Sequence, residues 1–178
     1  MELERQRLQQ QLQRQRPAAR QLYEQLMQLA DNDLRVACLR GLSCYQVWAL
    51  GELLCVESRR LWMRDPRHAA ELAALAVEVV WHLDAAGHGG PLLNDLQARA
   101  WMCRTNAERG LGDLGQAEQT LAMVRFFVRQ GSGDPRVQGE ALELEAALRH
   151  DQRRLNDAAA LLDEAQETVD EDPSQKPF

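Results

Sequence analysis

Apolar residues recur along this chain at steps of three and four, broken by short stretches rich in Gly, Pro and Asp. That is the pattern of successive amphipathic helices. Residues 1–29 alternate steps of four and three through Leu8, Leu12, Gln15, Ala19, Leu22, Leu26 and Leu29. The seam suits either a coiled coil, with self-association through residues 1–29, or a helix that caps the later helices of the chain. Pro17 lies inside it and removes one backbone donor, which predicts a kink or two successive helices. Asp31-Asn-Asp33 marks a turn and a helix start, and Leu34 to Leu42 forms a short helical pattern. Ser43 is the expected N-cap of a longer helix reaching Met63, with an apolar face through Trp48, Leu50, Leu53, Leu54, Val56 and Leu61. Asp65-Pro66 ends that helix and opens one over 66–86, because proline suits a first helical position. Gly87-His-Gly-Gly-Pro91, Gly110-Leu-Gly-Asp113 and Gly131-Ser-Gly-Asp-Pro135 then separate helices predicted over 92–110, 114–129, 136–153 and 156–169. No segment alternates with a period of two, so no sheet is predicted. Residues 171–178 read as a frayed tail.

Three turn-and-helix segments echo one another. Ala69…Ala73…Ala76, Ala117…Leu121…Val124 and Ala158…Leu162…Ala165 each set a small residue just inside a helix, with apolar or small residues four and seven positions on. The separations are 48 residues from Ala69 to Ala117 and 41 from Ala117 to Ala158. A repeat of this length in a helical chain predicts stacked helix pairs, each burying its apolar face against its neighbours. The expected organisation is an N-terminal helical extension or cap over 1–42 and three helix pairs over about 43–88, 91–130 and 134–170.

Composition narrows the function classes. A net charge of −6 over 178 residues argues against a general nucleic-acid binder, which needs a basic surface. The charge is uneven. Residues 1–20 carry five Arg against Glu2 and Glu4, whereas 134–178 carry twelve acids against five bases. Twenty of the 21 basic residues are Arg, a bias that suggests GC-rich, bacterial coding. Cys38, Cys44, Cys55 and Cys103 form no C-x-x-C pair and lie in apolar helical stretches, as expected of buried reduced thiols in a cytoplasmic protein. The start carries no signal-peptide pattern, and the longest apolar stretch, Leu72 to Leu83, is interrupted by Glu78 and His82 and is too short for a membrane span.

The run Ala98-Arg-Ala-Trp101-Met-Cys-Arg-Thr105-Asn-Ala107-Glu-Arg-Gly-Leu-Gly112-Asp-Leu-Gly-Gln-Ala117 resembles a tetratricopeptide repeat. Trp101, Thr105, Gly112-Asp113-Leu114 and Ala117 occupy its signature places, with Thr105 replacing the usual Gly and Leu114 the usual Tyr. Residues 46–82 and 137–169 match more weakly, and 1–42 do not match. The resemblance implies an all-α fold of antiparallel helix pairs in a short right-handed solenoid. It also implies a concave groove lined by the first helix of each pair, at Arg99, Met102, Asn106 and Arg109 in the second pair. Shifting by the repeat offsets adds Gly51, Leu54 and Ser58 from the first pair, and Glu140, Glu143, Ala147 and His150 from the third. Asn106 corresponds to the asparagine with which such domains hold a peptide backbone or a terminal carboxylate. Glu140 and Glu143 stand where a carboxylate clamp needs bases, which disfavours a C-terminal carboxylate as ligand.

Other constellations carry less. Gly110-Leu-Gly112-Asp-Leu-Gly115 satisfies G-x-G-x-x-G, but a helix precedes it where dinucleotide binding requires a strand. His68, His82, His88 and His150 show no metal-ligand spacing, and no local triad motif is present. The expected function is therefore a non-enzymatic adaptor, without cofactor or metal, that binds another protein or peptide segment in the groove. The alternative is a sensor or regulatory subunit of a larger bacterial signalling, transcription or defence system. No nucleic acid or membrane partner is expected.

Overall fold

The computed structural model describes residues 2–84 and 89–170. His88 and the expected frayed tail at 171–178 lie outside them. The described residues are all-helical, without strands: α1 (Glu2–Gln28), α2 (Asn32–Gly41), a 3-10 turn (Ser43–Tyr45), α3 (Trp48–Leu61), α4 (Pro66–Trp81), α5 (Gly90–Gly110), α6 (Leu114–Gln130), α7 (Pro135–Asp151) and α8 (Leu155–Asp170).

Aspartates start four of these helices. Asp31, Asp65, Asp113 and Asp134 each accept a hydrogen bond from a backbone N–H of the first turn, at 3.0–3.1 Å. Pro66 and Pro135 come directly after two of the caps at first-turn positions, where no donor is lost. The turns that join α5 to α6 and α7 to α8 both use a left-handed residue, Gly112 at φ 78° and Arg153 at φ 64°. These two are 41 residues apart, the same interval as Ala117 to Ala158. Arg153 accepts a conformation that costs an L-residue about 1 kcal/mol. Ser43 does not cap α3. It lies in the 3-10 turn, and Val47 precedes α3 with no side-chain cap bond.

Adjacent helices pack in pairs, α3 with α4, α5 with α6, and α7 with α8, and each pair rests on the next through α4–α5 and α6–α7. The first helices also touch in series, α3 with α5 and α5 with α7. One core cluster runs from α1 to α5 and includes Leu26, Leu39, Leu50, Leu54, Leu72 and Leu75. A second joins α5, α6 and α7 through Met102, Ala117, Leu121, Val124 and Leu148. Ala69, Ala117 and Ala158 are 0, 0 and 6% exposed, so each repeats a close approach between paired helices. Enlarging such a site costs about 1–3 kcal/mol. Ala117→Leu is therefore expected to lower the denaturant midpoint without altering the helical signal, and an unchanged midpoint would show that α5 and α6 do not meet there.

Pro17 does not divide the extension into two helices: α1 is one helix through Pro17. Its seam is spent inside the chain, since Leu12, Ala19 and Leu26 are buried and α1 packs against α3. Gln15, the polar position of the seam, accepts a hydrogen bond from the backbone N–H of Ala49 at 3.5 Å.

Candidate groove across the first helices

The first helices line a common cavity of about 270 Å³. Arg59 of α3 contributes one wall. Arg99, Met102, Asn106 and Arg109 of α5 form the middle, and Glu140, Glu143 and Ala147 of α7 form the far wall. Met102, Cys103 and Leu144 are nearly buried and supply an apolar floor. Of the expected groove residues, those on α5 and three on α7 are thus brought together. A second, larger cavity of about 670 Å³ lies toward the N-terminal ends of the same helices, where Leu8 and Leu12 of α1 close one side. Arg99 lines both cavities.

The three expected cations and amides have unequal freedom. Arg109 is held on every side: its Nε donates to Asp151 Oδ2 at 2.9 Å, its Nη1 donates to Asn106 Oδ1 at 2.6 Å, and its guanidinium lies 5.9 Å over the Trp62 ring. Arg99 faces Glu140 at 3.6 Å, with its buried Nε lacking a hydrogen-bond partner. Asn106 spends its carbonyl oxygen on Arg109, which leaves its Nδ2 amide without a partner among the described residues. Arg59 and Glu143 both line the groove and form no ion pair with a described residue. Among the described residues, the groove therefore runs from an unpaired cation on α3, past an unused amide donor on α5, to an unpaired carboxylate on α7.

Four expected residues do not belong to it. Leu54 is 0% exposed and sits in the larger core cluster. Ser58 is 1% exposed, and its hydroxyl donates to the Ala69 carbonyl at 2.9 Å, tying α3 to α4. Gly51 is also internal: a Cβ there would come within 2.9 Å of Val80 Cγ1. His150 is on the outside of the last turn of α7, its side chain 68% exposed and 3.6 Å from Asp151. In place of Leu54 and Ser58, α3 presents Arg59 here, and Trp48 and Glu52 in the larger cavity.

Other side-chain clusters are structural. Thr105 and Thr120 hydroxyls meet at 3.0 Å, and Thr120 donates to Glu108 at 2.6 Å, forming a buried polar link between α5 and α6. Of the four free cysteines, Cys55 and Cys103 are buried neighbours, with the Cys103 thiol donating to the Cys55 carbonyl at 3.5 Å. Contact with Cys103 and burial push the Cys55 thiol up, away from thiolate chemistry. Cys44 is exposed, because the 3-10 turn and not a packed helix carries it. Among the described residues no three His, Cys, Asp or Glu side chains form a metal cluster, and no helix is long and apolar enough to cross a membrane. No protein-family model, curated protein or solved structure matches the chain.

Proposed function

We propose that the chain is a short right-handed solenoid of the tetratricopeptide kind and a non-enzymatic adaptor. It holds an extended segment of another protein across α3, α5 and α7. The observation that carries this reading is the series Arg59, Asn106 Nδ2 and Glu143, three polar groups over an apolar floor with no partner among the described residues. Contacts between successive first helices and the equivalent left-handed turns at Gly112 and Arg153 support the repeat. Opposite charges at the two walls suit a segment that itself carries an acid and a base, with a main-chain carbonyl between them for Asn106. A purely acidic or purely basic segment meets repulsion at one wall.

The test is selection of binders from a random peptide display library, with affinity then measured on the triple variant Arg59→Ala, Asn106→Ala, Glu143→Ala. Peptides of mixed charge are expected, with a loss of roughly 2 kcal/mol, about thirtyfold in Kd, since the contacts are partly exposed. The melting temperature should fall by no more than about 4 °C, because the one structural contact removed is the hydrogen bond that Asn106 accepts from Arg109 within α5. Undiminished peptide binding by the triple variant would overturn the reading. Arg109→Ala makes the contrast: it removes a strut between α5 and α7, so its melting temperature should fall.

A further inference from the structure

The last helix keeps an apolar stripe in the open. Leu155 is 58% and Leu162 52% exposed, with exposed Ala159 between them. Steps of four and three put all three on one side of α8. The side turned toward α7 is made by Ala158 and Ala165, which are buried. Leu162 has equivalents in the earlier pairs, Leu121 lying 41 residues before it and Ala73 48 residues before that, and both are 0% exposed. In those pairs the next helix packs onto the second helix, α5 onto α4 and α7 onto α6. A helix is thus what covers this position each time, and among the described residues none comes after α8.

Charge says which kind of helix fits. α8 contains Asp157, Asp163, Glu164, Glu167 and Asp170 and no base. Asp163 and Glu167 flank the open stripe on one side and form no ion pair with a described residue. A second α8 laid parallel on the first would set Asp163 against Asp163 and Glu167 against Glu167, which disfavours a parallel symmetric dimer through this edge. We propose that α8 is the docking edge for an amphipathic helix of a partner protein, apolar at steps of three and four and flanked by arginine or lysine. Its apolar face closes over Leu155, Ala159 and Leu162, and its bases meet Asp163 and Glu167. The stripe belongs to a second helix and the groove to the first helices, so either reading can fail without the other.

The test uses two short synthetic helical peptides of the same apolar pattern, one of leucine and lysine, the other of leucine and glutamate. The leucine–lysine peptide is expected to bind the full chain and to slow amide exchange along α8. Leu155→Ser with Leu162→Ser should weaken it by about tenfold or more. Asp163→Lys with Glu167→Lys should reverse the preference toward the leucine–glutamate peptide. Because both acids are at the surface, this second variant remains decisive even if the serine variant unfolds. An unreversed preference overturns the proposal. So does protection confined to helices other than α8, or a stripe already shielded in the free chain by a second copy or by residues beyond 170.

Discussion

Leu54→Ala is expected to lower stability by about 3 kcal/mol while leaving the proposed peptide binding in the groove unchanged. Leu54 is wholly buried in the cluster that joins α1 to α5, alongside Leu50 and Leu72. Truncating such a leucine removes its transfer energy and leaves a cavity that relaxes only in part, the combination that costs about 2–5 kcal/mol. In a chain of 178 residues that corresponds to a melting temperature lower by roughly 6–12 °C. Calorimetry on the variant, paired with affinity for a groove-binding peptide, separates the two roles open to this side chain. A weakened affinity with an unchanged melting temperature would return Leu54 to the groove wall and contradict its burial.

That position shows where the sequence is readable and where it is not. The helix starts are legible because an aspartate cap and a proline just after it act locally, through bonds reaching two or three residues. The second helices are legible too, since Ala69 and Ala117 keep the 48-residue interval in register and in burial. The first helices slip by one. Ser58 and Thr105 are the buried hydroxyls near their ends, 47 residues apart. From Ser58 to Asp65 is seven residues, whereas from Thr105 to Asp113 is eight, so the first turn is one residue shorter. Carrying the 48-residue interval into α3 therefore rotates every expected position by about 100° around the helix, from the groove into the core. With an interval of 47, Asn106 maps to Arg59 and Arg99 to Glu52, the residues α3 does present. The matched hydroxyls at 58 and 105 are the signal that reveals this register.

Two further departures have different physical causes. Of the two outcomes expected at Pro17, the division into two helices does not occur, because Pro17 lies on the exposed side of α1, where water can satisfy the carbonyl that loses its partner. The restraint of Arg109 depends on Asp151, 42 residues away and reached by side chains alone. No periodicity encodes a choice of that kind. The groove's backbone frame is thus written in the helix starts and the buried small residues, while the freedom or capture of each charged group is decided by neighbours on another helix.

Arg149 offers the largest electrostatic effect, and its sign is set by the carboxylates around it. The residue is 5% exposed, on α7, and its guanidinium donates to Glu118 through both terminal nitrogens, to Glu145 at 3.1 Å and to Gln152 at 2.8 Å. Gln152 donates in turn to Glu118 at 2.9 Å, so the network binds α6 to the C-terminal end of α7. The hydrogen bond from Arg149 holds the Glu118 carboxyl down at about 2, well below its ordinary 4.5. A folded-state value below the unfolded one means stability that is complete above pH 4.5 and lost as pH falls toward 2. Glu118 is 41% exposed, so screening reduces this pH-dependent part to about 1 kcal/mol. Arg149→Met keeps the buried stem and deletes the charge, leaving Glu118 without its bidentate partner and Glu145 with Arg125 alone. The expected cost is about 2 kcal/mol at pH 7, less than for a fully buried pair because one partner meets solvent. At pH 3 the same substitution should cost about half as much, since wild-type Glu118 is by then losing part of its advantage. Urea unfolding of both proteins at the two pH values checks this, and an equal difference at pH 7 and pH 3 would mean that the network contributes packing alone.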